Sequence, residues 1–182
     1  MIQYALRALV GTVVASVSLA WSTHAPAEEQ LDACKLLKQA DVEAAFAPRK
    51  FDAGTAGKAA VKSSPQLAAV SQCTYTSSGA TAKDRITVSL LARRAPSDTS
   101  GVTPQAAKTG AIELKATPVD IAGLGDGAYT VNMGSAAFPV IQVNVFRGKR
   151  DWFVFACAAM KMDPNGAVAG LKKIAATTLA RQ

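Results

Sequence analysis

Phe138-Pro-Val-Ile-Gln-Val-Asn-Val-Phe146, Arg147-Gly-Lys-Arg-Asp151 and Trp152-Phe-Val-Phe-Ala-Cys-Ala-Ala-Met160 follow one another without a break. In an extended chain Ile141, Val143 and Val145 fall on one side and Gln142 and Asn144 on the other, the period of two of a half-buried strand. The five residues between the two runs are basic, acidic or glycine and read as the turn of a β-hairpin. Hairpin-linked strands build an antiparallel sheet. Helical patterns at both ends of the chain and in its middle then place the fold in the α+β class.

Downstream of the hairpin, Asp163-Pro164 supplies an N-cap and a first-turn proline for a closing helix. Val168, Leu171, Ile174, Ala175 and Leu179 form its inner stripe, with Lys172, Lys173, Thr177 and Arg181 on its outer face. Upstream, Gly123-Leu-Gly-Asp-Gly127 reads as a tight turn before a strand at Ala128–Asn132. Pro118–Ile121 is a short extended piece. Thr103-Pro104 starts a middle helix running to about Leu114, weakened by Gly110. Val70–Thr76 and Ile86–Ala92 read as a strand pair joined by Ser77–Asp84. Arg93-Arg94 then mark emergence into solvent, and 95–102 is a loop. Residues 31–46 predict one amphipathic helix. Leu36, Leu37, Val42, Ala45 and Phe46 lie on its inner side, and Lys38, Asp41 and Glu43 face outward. Pro48 ends it, and residues 48–66 read as a long connection. Each half of the chain thus opens with a helix followed by a β run.

The chain has 182 residues, 49% hydrophobic and 18% charged, which excludes a disordered polymer and fits one domain. Its N-terminus carries a targeting signature. Arg7 precedes an uncharged run from Ala8 to Ala20, and Ala25-Pro26-Ala27 matches the small-x-small cleavage pattern. The uncharged run is too short to span a bilayer core. Residues 1–27 are therefore read as a cleaved signal peptide and 28–182 as a single α+β domain, periplasmic or secreted, with no membrane span after cleavage.

Cleavage leaves 155 residues with 19 basic and 13 acidic side chains. It also removes His24, the one histidine of the chain. Without histidine, a Ser-His-Asp triad, a Cys-His pair and a histidine metal site are all excluded. Glycines 123, 125 and 127 lack the spacing and the following helix of a dinucleotide loop. Asp41 and Glu43 point to different faces of a helix. Asp84, Asp120 and Asp126 sit in turns. No S-x-x-K occurs after residue 27. The expectation is a protein without catalytic residues, metal or cofactor.

Arg147, Lys149 and Arg150 concentrate positive charge at the hairpin tip, with Arg93-Arg94 as candidates to lie beside it. They are the candidate contact for an anionic surface or partner, the alternative being a solvated turn. Exposed aromatics interleaved with the basic residues are missing, so nucleic acid is not the expected partner.

Export would place Cys34, Cys73 and Cys157 where disulfides persist, and three cysteines allow one internal pair. Cys34 opens a helical region and Cys73 lies in a strand, so Cys34–Cys73 is the favoured pair. Cys73–Cys157 and Cys34–Cys157 are the alternatives. Cys157 sits in the apolar run Trp152–Cys157 and reads as a small buried hydrophobe.

Three patches, Cys34-Lys-Leu-Leu-Lys-Gln-Ala-Asp-Val42, Cys73-Thr-Tyr75 and Gly123-Leu-Gly-Asp-Gly-Ala-Tyr129, resemble motifs of a group of exported bacterial domains of unknown function. The resemblance implies a Cys34–Cys73 disulfide and an α+β fold similar to the Mog1-like and photosystem-associated PsbP-like folds. Lys38 stands where those domains carry Ser or Thr, and no lipobox cysteine is present. The group supplies no catalytic residues.

These readings lead to an exported non-enzymatic binding or interaction domain. Its partner would be an unknown protein, an anionic surface or a small ligand in the periplasm. The alternative is a carrier of a small ligand or lipid, with a pocket between sheet and helices lined by Phe138, Phe146, Phe153 and Phe155. A hydrolase is a third, weaker alternative.

Overall fold

The computed structural model describes residues 31–57, 69–78 and 81–182. The signal-peptide reading of 1–27 falls outside them. The elements run α1 (Ala33–Leu36), α2 (Gln39–Ala45), β1 (Thr55–Gly57), β2 (Ala69–Thr76), a short 3₁₀ turn (Ala82–Asp84) and β3 (Ile86–Arg94). There follow α3 (Pro104–Glu113), β4 (Val119–Ile121), β5 (Gly127–Asn132), β6 (Val140–Arg147), β7 (Asp151–Ala159) and α4 (Pro164–Leu179). The strands form one seven-stranded sheet in the order β1-β2-β3-β7-β6-β5-β4. Every neighbouring pair is antiparallel. The α+β class expected from the sequence is what the chain forms.

The β6–β7 hairpin closes at Arg147↔Asp151, with Gly148 at φ 58 in the turn. Strand β7 lies at the centre of the sheet, paired with β3 and β6. Its odd-numbered residues Phe153, Phe155 and Cys157 are fully buried. They share one face with Leu90 and Val88 of β3 and Val143 and Val145 of β6, beneath α1, α2 and α4. Burying each of the two Phe side chains is worth about 1.5–3 kcal/mol. From α4, Leu171, Ile174 and Ala175 reach this core as its stripe predicts. Asp163 caps the helix by accepting from the Asn165 and Gly166 amides.

Residues 31–46 form two helices rather than the one expected. Leu37 is extended (ψ 113) and so is Lys38 (ψ 143). In a continuous helix the Leu37 carbonyl would accept from the Asp41 amide. Here it accepts from the Tyr75 hydroxyl at 2.8 Å, and the Asp41 amide turns to the Lys38 carbonyl. Lys38 becomes the N-cap of α2 without an acceptor side chain to offer. Asp41 and Glu43 do not simply face solvent either. Asp41 pairs with Arg181 beyond α4 at 2.5 Å. Glu43 accepts from the Phe51 amide at 3.2 Å and pairs with Lys50, and these contacts hold its carboxyl below the usual range.

The connection after Pro48 carries more structure than expected. Phe51 is buried and bridges Ser77, and Thr55–Gly57 adds an edge strand to β2. The disulfide joins Cys34 to Cys73 (Cα–Cα 4.9 Å), as read from the sequence, and ties α1 to the sheet. Cys157 is free and buried, and burial pushes its thiol up to about 12, against a smaller opposing pull from Arg49.

Candidate functional site

The second face of the sheet is covered in part by α3. Thr103 caps this helix by accepting from the Ala106 amide at 3.2 Å, and Pro104 opens its first turn. Gly110 does not break it. Ala111 packs on Tyr129, Val131 and Phe146, with Val102, Ala107 and Trp152 around them. This second, smaller cluster does not fill the space beneath the helix. A groove of about 350 Å³ remains between α3 and strands β5, β6 and β7. Its walls include Ala106, Gly110 and Leu114 from α3 and Tyr129, Asn144 and Trp152 from the sheet, and no lining side chain is charged.

The aromatic side of the groove is ordered by stacking. Trp152 stacks on Phe146 at 5.6 Å and 14°, and Tyr129 on Phe146 at 6.3 Å and 24°. Arg93 lies over the outer Trp152 ring, 5.7 Å from its centroid, and so does not emerge freely into solvent. Asn144 lies opposite Tyr129 on one side and Val154 on the other. Its Oδ1 accepts from Trp152 Nε1 at 3.0 Å.

The carrier pocket expected from the four phenylalanines does not form as expected. Phe153 and Phe155 are in the filled core under α4, Phe138 is 45% exposed beyond β5, and Phe146 alone belongs to the second cluster. In the β6–β7 register Phe146 lies opposite Trp152 and Phe153 opposite Val145, so Phe146 and Phe153 face opposite sides of the sheet and cannot line one pocket. The residues that do line the groove, Asn144 and Trp152 among them, were legible as strand positions but not as neighbours of the middle helix.

The basic tip is a separate surface. A cleft of about 460 Å³ is lined by Arg94, Arg147, Lys149, Arg150, Asp98 and Asp151 among others. Arg94 closes a two-point ion pair on Asp151, at 2.7 Å and 2.8 Å, and Arg147 adds a third contact at 3.3 Å. Burial alone would raise the Asp151 pKa, but the bonds and charge of Arg94, followed by those of Arg147, hold it below the usual carboxylate range. Arg150 donates to the Ala95 carbonyl at 2.8 Å. Arg147 and Arg150 are therefore engaged with the fold, while Lys149 is exposed and unpaired among the described residues. Arg94 does come to the tip, and Arg93 lies on the opposite face.

The turn Gly123–Gly127 packs against this hairpin. Gly125 has φ +56, and a Cβ there would lie 2.3 Å from the Phe146 carbonyl. Asp126 accepts from the Gly148 amide at 2.6 Å. Among the described residues no three His, Cys, Asp or Glu side chains gather where a metal could sit, and no helix is long and apolar enough to cross a membrane.

The chain thus belongs to the class of α+β domains built on one antiparallel sheet with helices on both faces. The extracellular domain of PknH from Mycobacterium tuberculosis is similar in structure, with a TM-score of 0.50 and 10% sequence identity over 81% of this chain and 95% of that one. At that identity the likeness is one of fold alone. No protein-family model matches the chain, and no curated protein does.

Proposed function

We propose that this chain is an exported, non-catalytic binding domain that takes a small apolar ligand into the groove between α3 and the sheet. The groove itself carries the reading. It is open, uncharged and floored by Trp152 and Tyr129, and its volume lies within the range of small-molecule sites. Export is supported by the signal-like N-terminus and by the Cys34–Cys73 disulfide. The likeness to an extracellular domain agrees with it. The lack of histidine from residue 28 onward supports a binding role over a hydrolytic one. Membership of the exported domains that share the three sequence motifs is part of the same reading.

Native mass spectrometry of protein isolated from its own host tests this. The wild type should carry the mass of a retained small molecule, and a Gly110→Phe variant should lack it. Polypeptide mass alone for the wild type would overturn the reading.

A second reading places a protein or anionic partner at the basic tip, and the free Lys149 ammonium is the observation that favours it. Lys149→Glu should then weaken the complex and reduce its dependence on salt. An association unchanged by that substitution would make the tip a solvated turn.

A further inference from the structure

Asn144 is 1% exposed, on the interior strand β6, and lines the groove. The indole N–H of Trp152 can only donate, so the atom facing it at 3.0 Å must be the amide oxygen. That fixes the side chain without ambiguity and leaves the NH₂ group turned away from Trp152. Nδ2 is buried and has no hydrogen-bond partner among the described residues. Buried donors in folded proteins are nearly always satisfied, and an orphan is unfavourable.

A second observation lies across the groove. Gly110 occupies the interior of α3, where glycine is less favourable than alanine. No close packing requires it, since a Cβ there would meet nothing within 4 Å. The helix gives up stability at a groove-lining position where a side chain would have open space before it. An unpaired donor on one wall and an unfilled wall opposite both suit a bound molecule.

We infer that Asn144 is the polar anchor of this groove, and that the ligand is an uncharged, apolar molecule bearing a hydrogen-bond acceptor such as a carbonyl oxygen. The inference rests on the ligand-binding reading above. Absence of charge follows from a lining without a charged side chain. The acceptor follows from the free Nδ2, which completes its bonding only when a lone pair is presented to it.

Benzophenone and diphenylmethane make the test, because they share one skeleton and differ in the carbonyl. Binding of each to the exported protein is measured by calorimetry or NMR titration. Benzophenone should bind wild type about three- to tenfold tighter, the share of one hydrogen bond to a buried donor. Asn144→Leu should erase that preference, and Gly110→Phe should abolish binding of both compounds. If Asn144→Leu does not fold, the preference in the wild type decides. Equal affinities in the wild type, lost together in Gly110→Phe, would overturn the anchor while leaving the groove as a binding site. No binding of either compound to the wild type would overturn both.

Discussion

Reducing the Cys34–Cys73 bond removes a link between residues 39 apart and leaves the folded contacts in place. In the chain-entropy account, closing a loop of that length restricts the unfolded chain and stabilises the fold by about 4 kcal/mol. Total stabilities of such domains are about 5–15 kcal/mol, so the bond is a large fraction of the whole. The assay is urea unfolding of the oxidised and the dithiothreitol-reduced protein, followed by far-ultraviolet circular dichroism. With a denaturant slope of about 1–3 kcal/mol/M, the midpoint should fall by about 1.3–4 M on reduction. A Cys34→Ala/Cys73→Ala variant should reproduce most of that fall. It serves as the control because serine would place a hydroxyl at the fully buried Cys73 position. Midpoints within about 0.3 M of each other would refute the reasoning, since the chain-entropy account assigns this span about 4 kcal/mol.

Lys38→Ser should stabilise the protein by about 1 kcal/mol, read as a rise of about 2–4 °C in Tm, because α2 begins without a side-chain cap. Gly110→Ala should add about 0.5–1 kcal/mol in the same assay, since α3 accepts a Cβ there with nothing to strike. Arg94→Met should cost about 3 kcal/mol by leaving the buried Asp151 carboxylate with only its Arg147 contact. The folded Asp151 pKa is lowered, so its contribution is full above the unfolded carboxylate value of about 4 and is lost as pH falls through the folded value. The Tm gap between wild type and Asp151→Asn, measured from pH 7 down to pH 2, should accordingly close only on the acid side of about pH 4.

Local signals in the chain carried far. The alternation of Ile141, Val143 and Val145, the Asp163-Pro164 and Thr103-Pro104 starts, and the glycines of 123–127 each specify an element that the structure contains. What they leave open is set by distant partners. The break after Leu37 depends on the Tyr75 hydroxyl, 38 residues away, taking a carbonyl the helix would have used. Arg93 and Arg94 read alike in sequence. Strand alternation sends one to Trp152 on one face and the other to Asp151 on the opposite face. The same alternation splits Phe146 from Phe153 and Phe155, which a count of aromatics does not reveal. The groove is less legible still. It exists because α3 crosses the second face with small residues, Ala106, Ala107 and Gly110, toward the sheet, and sequence alone does not say which face the helix crosses.

Trp152 is the one tryptophan from residue 28 onward and lies in the groove wall. Its fluorescence during titration with benzophenone is the most direct test of whether the groove takes a ligand. A bound ligand predicts quenching that saturates and is absent in Gly110→Phe. Quenching that rises linearly without saturating, and equally in both proteins, would contradict it.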